Sequence, residues 1–170
     1  MGYLTRITAA GYPLFTAFKF LYQAYADTNT KFKWINATVA AEQAFKEFIS
    51  VFDDRTESIM LNVPSPPIEK LYNNVLQAYT GFSSSVYKEL QKGAATRNAL
   101  IHKHKTEAPP LKETNIYIHQ VEVAIFELYT CLYPKDEYFT FLLNKVKQRL
   151  DHVVKGGGHF TYSNFFVGKV

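Results

Sequence analysis

The chain has 170 residues, 47% of them apolar and 20% charged, with one cysteine and a formal net charge of +4. This length and balance suit one globular domain that buries about 70% of its unfolded surface, and they exclude wholesale disorder, collagen-like repeats and low-complexity architectures. The lone Cys131 excludes an intramolecular disulfide and a thiolate zinc cage, so a reducing cytoplasm is the expected location.

The first 26 residues are rich in Tyr, Phe, Leu and Ala, but Arg6 and Lys19 interrupt them. No run approaches the roughly 18 consecutive apolar residues of a spanning helix, so a soluble protein without a membrane partner is expected. Apolar residues three and four apart then mark helical stretches. The first is predicted to begin at Pro13 and to carry Leu14, Phe18, Leu21 and Tyr25 inward, ending in the polar run from Asp27 to Thr30. The second is predicted from near Asn36, with Ala41, Phe45, Phe48 and Phe52 as its stripe. Ser65 offers a cap, followed by Pro66 and Pro67, for a short third helix carrying Ile68, Leu71, Val75 and Tyr79 and broken at Gly81.

The serines at 83 to 85 can cap a fourth helix, whose stripe runs Val86, Leu90, Ala94, Arg97, Ile101 and His104 before Pro109 and Pro110 end it. The fifth is predicted from near Thr114, with Ile118, Val121, Ile125, Leu128 and Leu132 inward, and it stops at Pro134. The sixth, from near Asp136, carries Phe139, Leu143, Val146, Leu150 and Val153 and stops at Gly156, Gly157 and Gly158. The tail to Val170 contains Phe160, Tyr162, Phe165 and Phe166, which predicts docking on the helices or on a second subunit. With no hairpin signal and no internal repeat, the expected fold is all-α. It is a single antiparallel bundle of five or six helices over 1–170, with its core at about 13–155 and a short aromatic tail at 156–170.

Most catalytic patterns are absent: there is no phosphate-cradling glycine loop, no His-Glu-x-x-His and no Gly-x-Ser-x-Gly. His119 with Glu122, and Asp151 with His152, are expected to be solvated pairs rather than metal ligands, so no metal and no cofactor is expected. Cys131 lies on an apolar helix and is expected to be a buried, inert thiol. The most basic window holds Lys88, Lys92, Arg97, Lys103, Lys105 and Lys112 against Glu89 and Glu107, a local excess of +4. Inside it, Arg97, Asn98, His102 and His104 join the permanent cation suited to phosphate with the side chain that exchanges protons near neutral pH. Cutting RNA needs a base for the ribose 2′-OH, an acid for the departing 5′ oxygen and positive charge on the phosphorane between them. Histidine and arginine can supply these, and a symmetric dimer would supply two copies.

The run Arg97-Asn98-x-x-x-His102 resembles the HEPN superfamily of all-helical domains, whose ribonucleases carry Arg, a polar residue directly after it, and His with four to six residues between it and the Arg. The likeness is sharp over these six residues and loose over the architecture. It implies a homodimer or pseudo-dimer with both motifs lining one cleft, cutting RNA without metal to leave a 2′,3′-cyclic phosphate and a 5′-hydroxyl. It also implies a toxin or phage-defence role, with a possible antitoxin or regulatory partner. One branch of the family has Tyr two residues after the His; His104 stands there here. His104 also satisfies the family spacing, and on an unbroken helix it lies within about 20° of Arg97, whereas residue 102 lies about 140° away. The family pattern favours His102. Lys88, Lys92, Lys103 and Lys105 are the candidate RNA-binding lysines, and Tyr117 and Tyr129 are candidates for stacking on bases. The competing expectation is a non-catalytic helical module that binds RNA or protein through its basic face, with Arg97 paired to a buried carboxylate such as Glu42 or Glu127.

Overall fold

The computed structural model describes residues 3–13, 15–56 and 68–157. Among them are seven α-helices and one 3-10 turn at Asp54–Thr56, with no strand: α1 Tyr3–Ala9, α2 Ala17–Ala26, α3 Thr30–Phe52, α4 Ile68–Thr80, α5 Tyr87–His102, α6 Leu111–Leu132 and α7 Glu137–Val154. The chain is therefore all-helical, as its periodicity predicts, but with one helix more than expected. The extra one is α1, a seven-residue turn ahead of Gly11. The Ser65 cap with its two prolines, Leu14, Gly158 and the aromatic residues of the tail lie outside the described residues.

The helix starts depart from expectation for identifiable reasons. Pro13 does not open α2, which begins four residues later at Ala17; its first amides meet Glu47 instead, whose Oε1 accepts from Thr16 N at 2.7 Å. α3 begins at Thr30 rather than near Asn36, because Asn29 is its N-cap and accepts from Lys31 N at 2.9 Å. α6 begins at Leu111, directly after Pro110, rather than at Thr114. α5 ends at His102, where Lys103 N still bonds to Ala99 O and Lys105 takes a left-handed φ of 70°. Ile101 and His104, expected on the inner stripe of that helix, are exposed.

α6 is the centre of the molecule. Val121, Val123, Ala124, Ile125, Phe126, Leu128 and Tyr129 are each at most 1% exposed, so every side of the helix faces protein. The segment entering α2 covers one side through Phe15, whose ring lies 4.5 Å from that of Tyr129, and α2 itself through Phe18 opposite Phe126. α7 covers another through Phe139, stacked at 4.9 Å on Tyr129. α3 brings Trp34 onto Tyr117 with ring centroids 4.3 Å apart. α4 stands further out and reaches α3 through Tyr72, 4.6 Å from Phe45. One continuous apolar cluster runs from Ile7 to Val146. Each fully buried Phe or Leu in it contributes about 1.5–3 kcal/mol relative to exposure.

At Gly93 of α5 the backbone runs tightly against two rings. Trp34 Nε1 donates to its carbonyl at 3.0 Å, and a Cβ on residue 93 would lie 2.0 Å from the Tyr117 hydroxyl. Tyr117 cannot retreat easily, because Trp34 stacks on its ring and Thr38 Oγ1 lies 3.0 Å from its hydroxyl. Gly93→Ala is accordingly expected to lower stability by about 1–3 kcal/mol through overpacking, despite alanine's better helix propensity. Urea unfolding of the two proteins measures this, and equal midpoints would show that the ring has room to move.

Candidate functional site

The site predicted from sequence lies on the last two turns of α5 and the loop after it. Arg97 points inward: its guanidinium forms an ion pair with Glu42 of α3, and the two side chains are 22% and 9% exposed. Of the two carboxylates weighed as partners for Arg97, Glu42 is therefore the one it meets. The Arg97 Nε is buried and has no hydrogen-bond partner, so this donor of the guanidinium remains unused. Behind the pair stand Thr38 and Tyr117, and burial pushes the Tyr117 hydroxyl above its ordinary range, which keeps it protonated.

Asn98 is half-buried beside Arg97, and His102 occupies the exposed final residue of the helix. No hydrogen bond or ion pair joins Arg97 to His102 among the described residues, in keeping with their 140° separation around the helix. The helical alignment of His104 with Arg97 does not occur, because the helix ends two residues before it; His104 is exposed in the following turn with Lys103 and Lys105. Lys88 and Lys92 are exposed on α5, and Lys92 reaches across to Glu113 at 2.6 Å. Exposed positive charge is thus concentrated at the end of α5, next to a half-buried arginine.

Two expectations fail on burial. Tyr117 and Tyr129 are 2% and 0% exposed and pack against Trp34 and Phe15, so neither can stack on a base. His119 and Glu122 are not solvated: both are fully buried. Tyr25 Oη lies 3.1 Å from His119 Nδ1 and donates to Glu122 Oε2 at 3.1 Å, and Arg149 of α7 stands 3.6 Å from the other carboxylate oxygen. The signal was present in the sequence, since a helix apolar on every side is buried on every side and takes its polar residues with it. Asp151 and His152 are exposed as expected. Cys131 is only partly buried, and desolvation raises its thiol, which keeps it an unreactive neutral group.

A third polar cluster was not expected. Glu127, fully buried on α6, accepts from Ser84 Oγ at 2.6 Å, from Ser85 N at 3.1 Å and from the Ser85 hydroxyl, while Lys147 stands 3.9 Å away. The serines ahead of α5 therefore donate to a carboxylate, and only Ser84 also accepts from the helix, at Val86 N. Among the described residues, no three His, Cys, Asp or Glu side chains gather closely enough to hold a metal ion, and no helix is long and apolar enough to cross a membrane. A pocket of about 610 Å³ opens at Tyr12, Tyr133 and Asp136, on other elements than Arg97 and His102. Compared with known proteins, the chain matches no family model, no curated protein and no solved structure.

Proposed function

We propose that the protein is an endoribonuclease of HEPN type, acting in the cytoplasm as a homodimer of antiparallel helical bundles. The observation that carries this reading is the conjunction at the end of α5. There, a half-buried arginine with an unused buried Nε lies one to two turns from the exposed His102, Lys103, His104 and Lys105. Glu42 orients the Arg97 guanidinium, and the exposed cations draw the phosphate backbone toward it. In the reaction, His102 takes the proton of the ribose 2′-OH or delivers one to the departing 5′ oxygen, the second copy supplying the other role. The 2′ oxygen bonds to phosphorus, the bond from phosphorus to the 5′ oxygen breaks, and Arg97 offsets the charge on the phosphorane. Asn98 orients the scissile phosphate. Such a protein fits a toxin or a phage-defence effector silenced by an antitoxin or another regulatory partner.

The test is incubation of end-labelled RNA with the purified protein in EDTA, followed by chemical identification of the ends. Cleavage to 2′,3′-cyclic phosphate and 5′-hydroxyl ends is expected, and loss of cleavage in EDTA rejects the mechanism. The second reading is a non-catalytic module that binds RNA through Lys88, Lys92, Lys103 and Lys105. The Arg97–Glu42 pair favours it, since an ion pair between two helices is a sufficient structural use for that arginine. Under this reading RNA survives intact and its affinity falls steeply with salt.

A further inference from the structure

The pocket of about 610 Å³ lies where two connections meet. The one between α1 and α2 supplies Tyr12, and the one between α6 and α7 supplies Tyr133, Pro134, Lys135 and Asp136. The rings of Tyr12 and Tyr133 stand 4.6 Å apart at 55°, so they meet as two sides of a corner and leave no slot between them for a flat ligand. Both rest on the fully buried ring of Phe139: Tyr133 stacks on it at 5.3 Å, and Tyr12 meets it at 4.9 Å and 73°. The backbone fixes the corner further. Tyr12 N donates to Ile7 O at 3.1 Å, the Tyr129 hydroxyl donates to Pro13 O at 2.8 Å, and Asp136 N closes a turn onto Tyr133 O at 3.1 Å. A ligand would find these rings already in place.

The charge of the lining is complementary to a cation. Two carboxylates, Asp136 and the exposed Glu137, line the pocket against the single ammonium of exposed Lys135. The amino end of α7 opposes them with a partial positive charge, which the Asp136 cap offsets. Both Asp136 oxygens already accept: one takes the Tyr12 hydroxyl and the other Tyr138 N at 2.9 Å. The bond to Asp136, with burial behind it, raises the Tyr12 hydroxyl above its ordinary range, so the phenol stays a neutral donor. A phenol that donates to a carboxylate holds more electron density on its ring, and the faces of such rings attract cations. A primary ammonium would bring three donors to ring faces and an engaged carboxylate. A methylated ammonium brings none, and its methyl groups suit the rings and the apolar wall of Leu132 and Pro134.

We propose that this pocket binds a methylated ammonium ion of the choline type. Its trimethylammonium group sits in the corner of the Tyr12 and Tyr133 rings, and its charge faces Asp136 and Glu137. The volume falls inside the range for ligand pockets and leaves room for the rest of the ligand. The site uses neither Arg97 nor His102 and stands whether or not the protein cuts RNA.

The test is an NMR titration of the full-length protein with choline. Saturable shifts are expected at the amides of Tyr12, Tyr133, Asp136 and Glu137, with the choline methyl protons moved upfield by the two rings. The neutral isostere of choline, in which a tert-butyl group replaces the trimethylammonium, is expected to bind about tenfold more weakly or worse, and so is ethanolamine. Glu137→Gln is expected to weaken choline about threefold and Lys135→Gln to strengthen it by a similar factor, both at exposed positions. Tyr133→Leu is expected to weaken it about tenfold, and Tyr133→Phe, which keeps the ring, to restore most of the loss. Phosphocholine is expected to bind more weakly than choline, because its phosphate meets the same carboxylates; the reverse order identifies a lipid headgroup as the source of the ammonium. Shifts that do not saturate, an isostere that binds as tightly as choline, or affinities unchanged by both Glu137→Gln and Tyr133→Leu overturn the site.

Discussion

Arg97→Ala and His102→Ala are each expected to slow RNA cleavage by about 10² to 10⁴ while differing sharply in their effect on the fold. Removing Arg97 takes the opposite charge away from the Glu42 carboxylate, 9% exposed, between α3 and α5. Because Arg97 retains some solvent contact, the cost is about 1–3 kcal/mol rather than that of a fully buried pair. His102 is exposed at the helix end, so its removal is expected to change stability by less than about 0.5 kcal/mol. Unfolding midpoints and single-turnover cleavage rates for the two variants separate the roles. A folded Arg97→Lys that remains slow would show that the planar fork is required as well as the charge. His104→Ala is the control that decides between the two histidines: a rate loss there with none at His102→Ala moves the proton-transfer role to the loop. Full activity in all of these variants would remove the site from this helix.

Glu127→Leu is expected to be the most destabilising single change, at about 3–5 kcal/mol. The leucine fills the space, but the Ser84 hydroxyl, the Ser85 hydroxyl and amide, and the Lys147 ammonium lose their acceptor together. The burden falls on the start of α5, whose Val86 cap position has no side-chain hydrogen bond of its own. Glu127→Gln restores one acceptor oxygen and is expected to cost less. Urea denaturation with parallel amide hydrogen exchange is the measurement, with the earliest exchange expected at residues 84–90. A loss below about 1 kcal/mol for Glu127→Leu would mean that water satisfies the serines.

Helix identity was legible in the sequence wherever apolar spacing and punctuation agreed, as at Ile118, Val121, Ile125 and Leu128, all buried. Boundaries were less legible, because competing signals stood a few residues apart. Pro13 looked like a helix start, but the amides of Thr16 and Ala17 find the distant Glu47, a partner 30 or so residues away that no local pattern announces. Asn29 caps α3 from within a polar run in which Asp27, Thr28 and Thr30 compete as caps. At the candidate site, Glu42 is one of the two carboxylates expected for Arg97, but α5 ends at His102, short of the prolines, and this removes the helical alignment of His104. The buried roles of His119 and Glu127 depended on neighbours from α2, α5 and α7. The apolar residues on every side of α6 announce the burial, but no local pattern names the partners those polar groups meet.

That central helix carries a further implication. An apolar surface on all sides makes α6 slippery: rotated by one residue, or slid by one turn, it would still present Val, Ile, Phe and Leu to its neighbours at little hydrophobic cost. What forbids those misregistered packings is the pair of polar anchors. His119 with Glu122 must meet Tyr25 and Arg149, and Glu127, about 140° further around the helix, must meet Ser84 and Ser85. Any shift would press at least one ionisable group into hydrocarbon with no partner, at a cost of several kcal/mol. The anchors act as locating pins, and they make the native arrangement unique more than they make it strong.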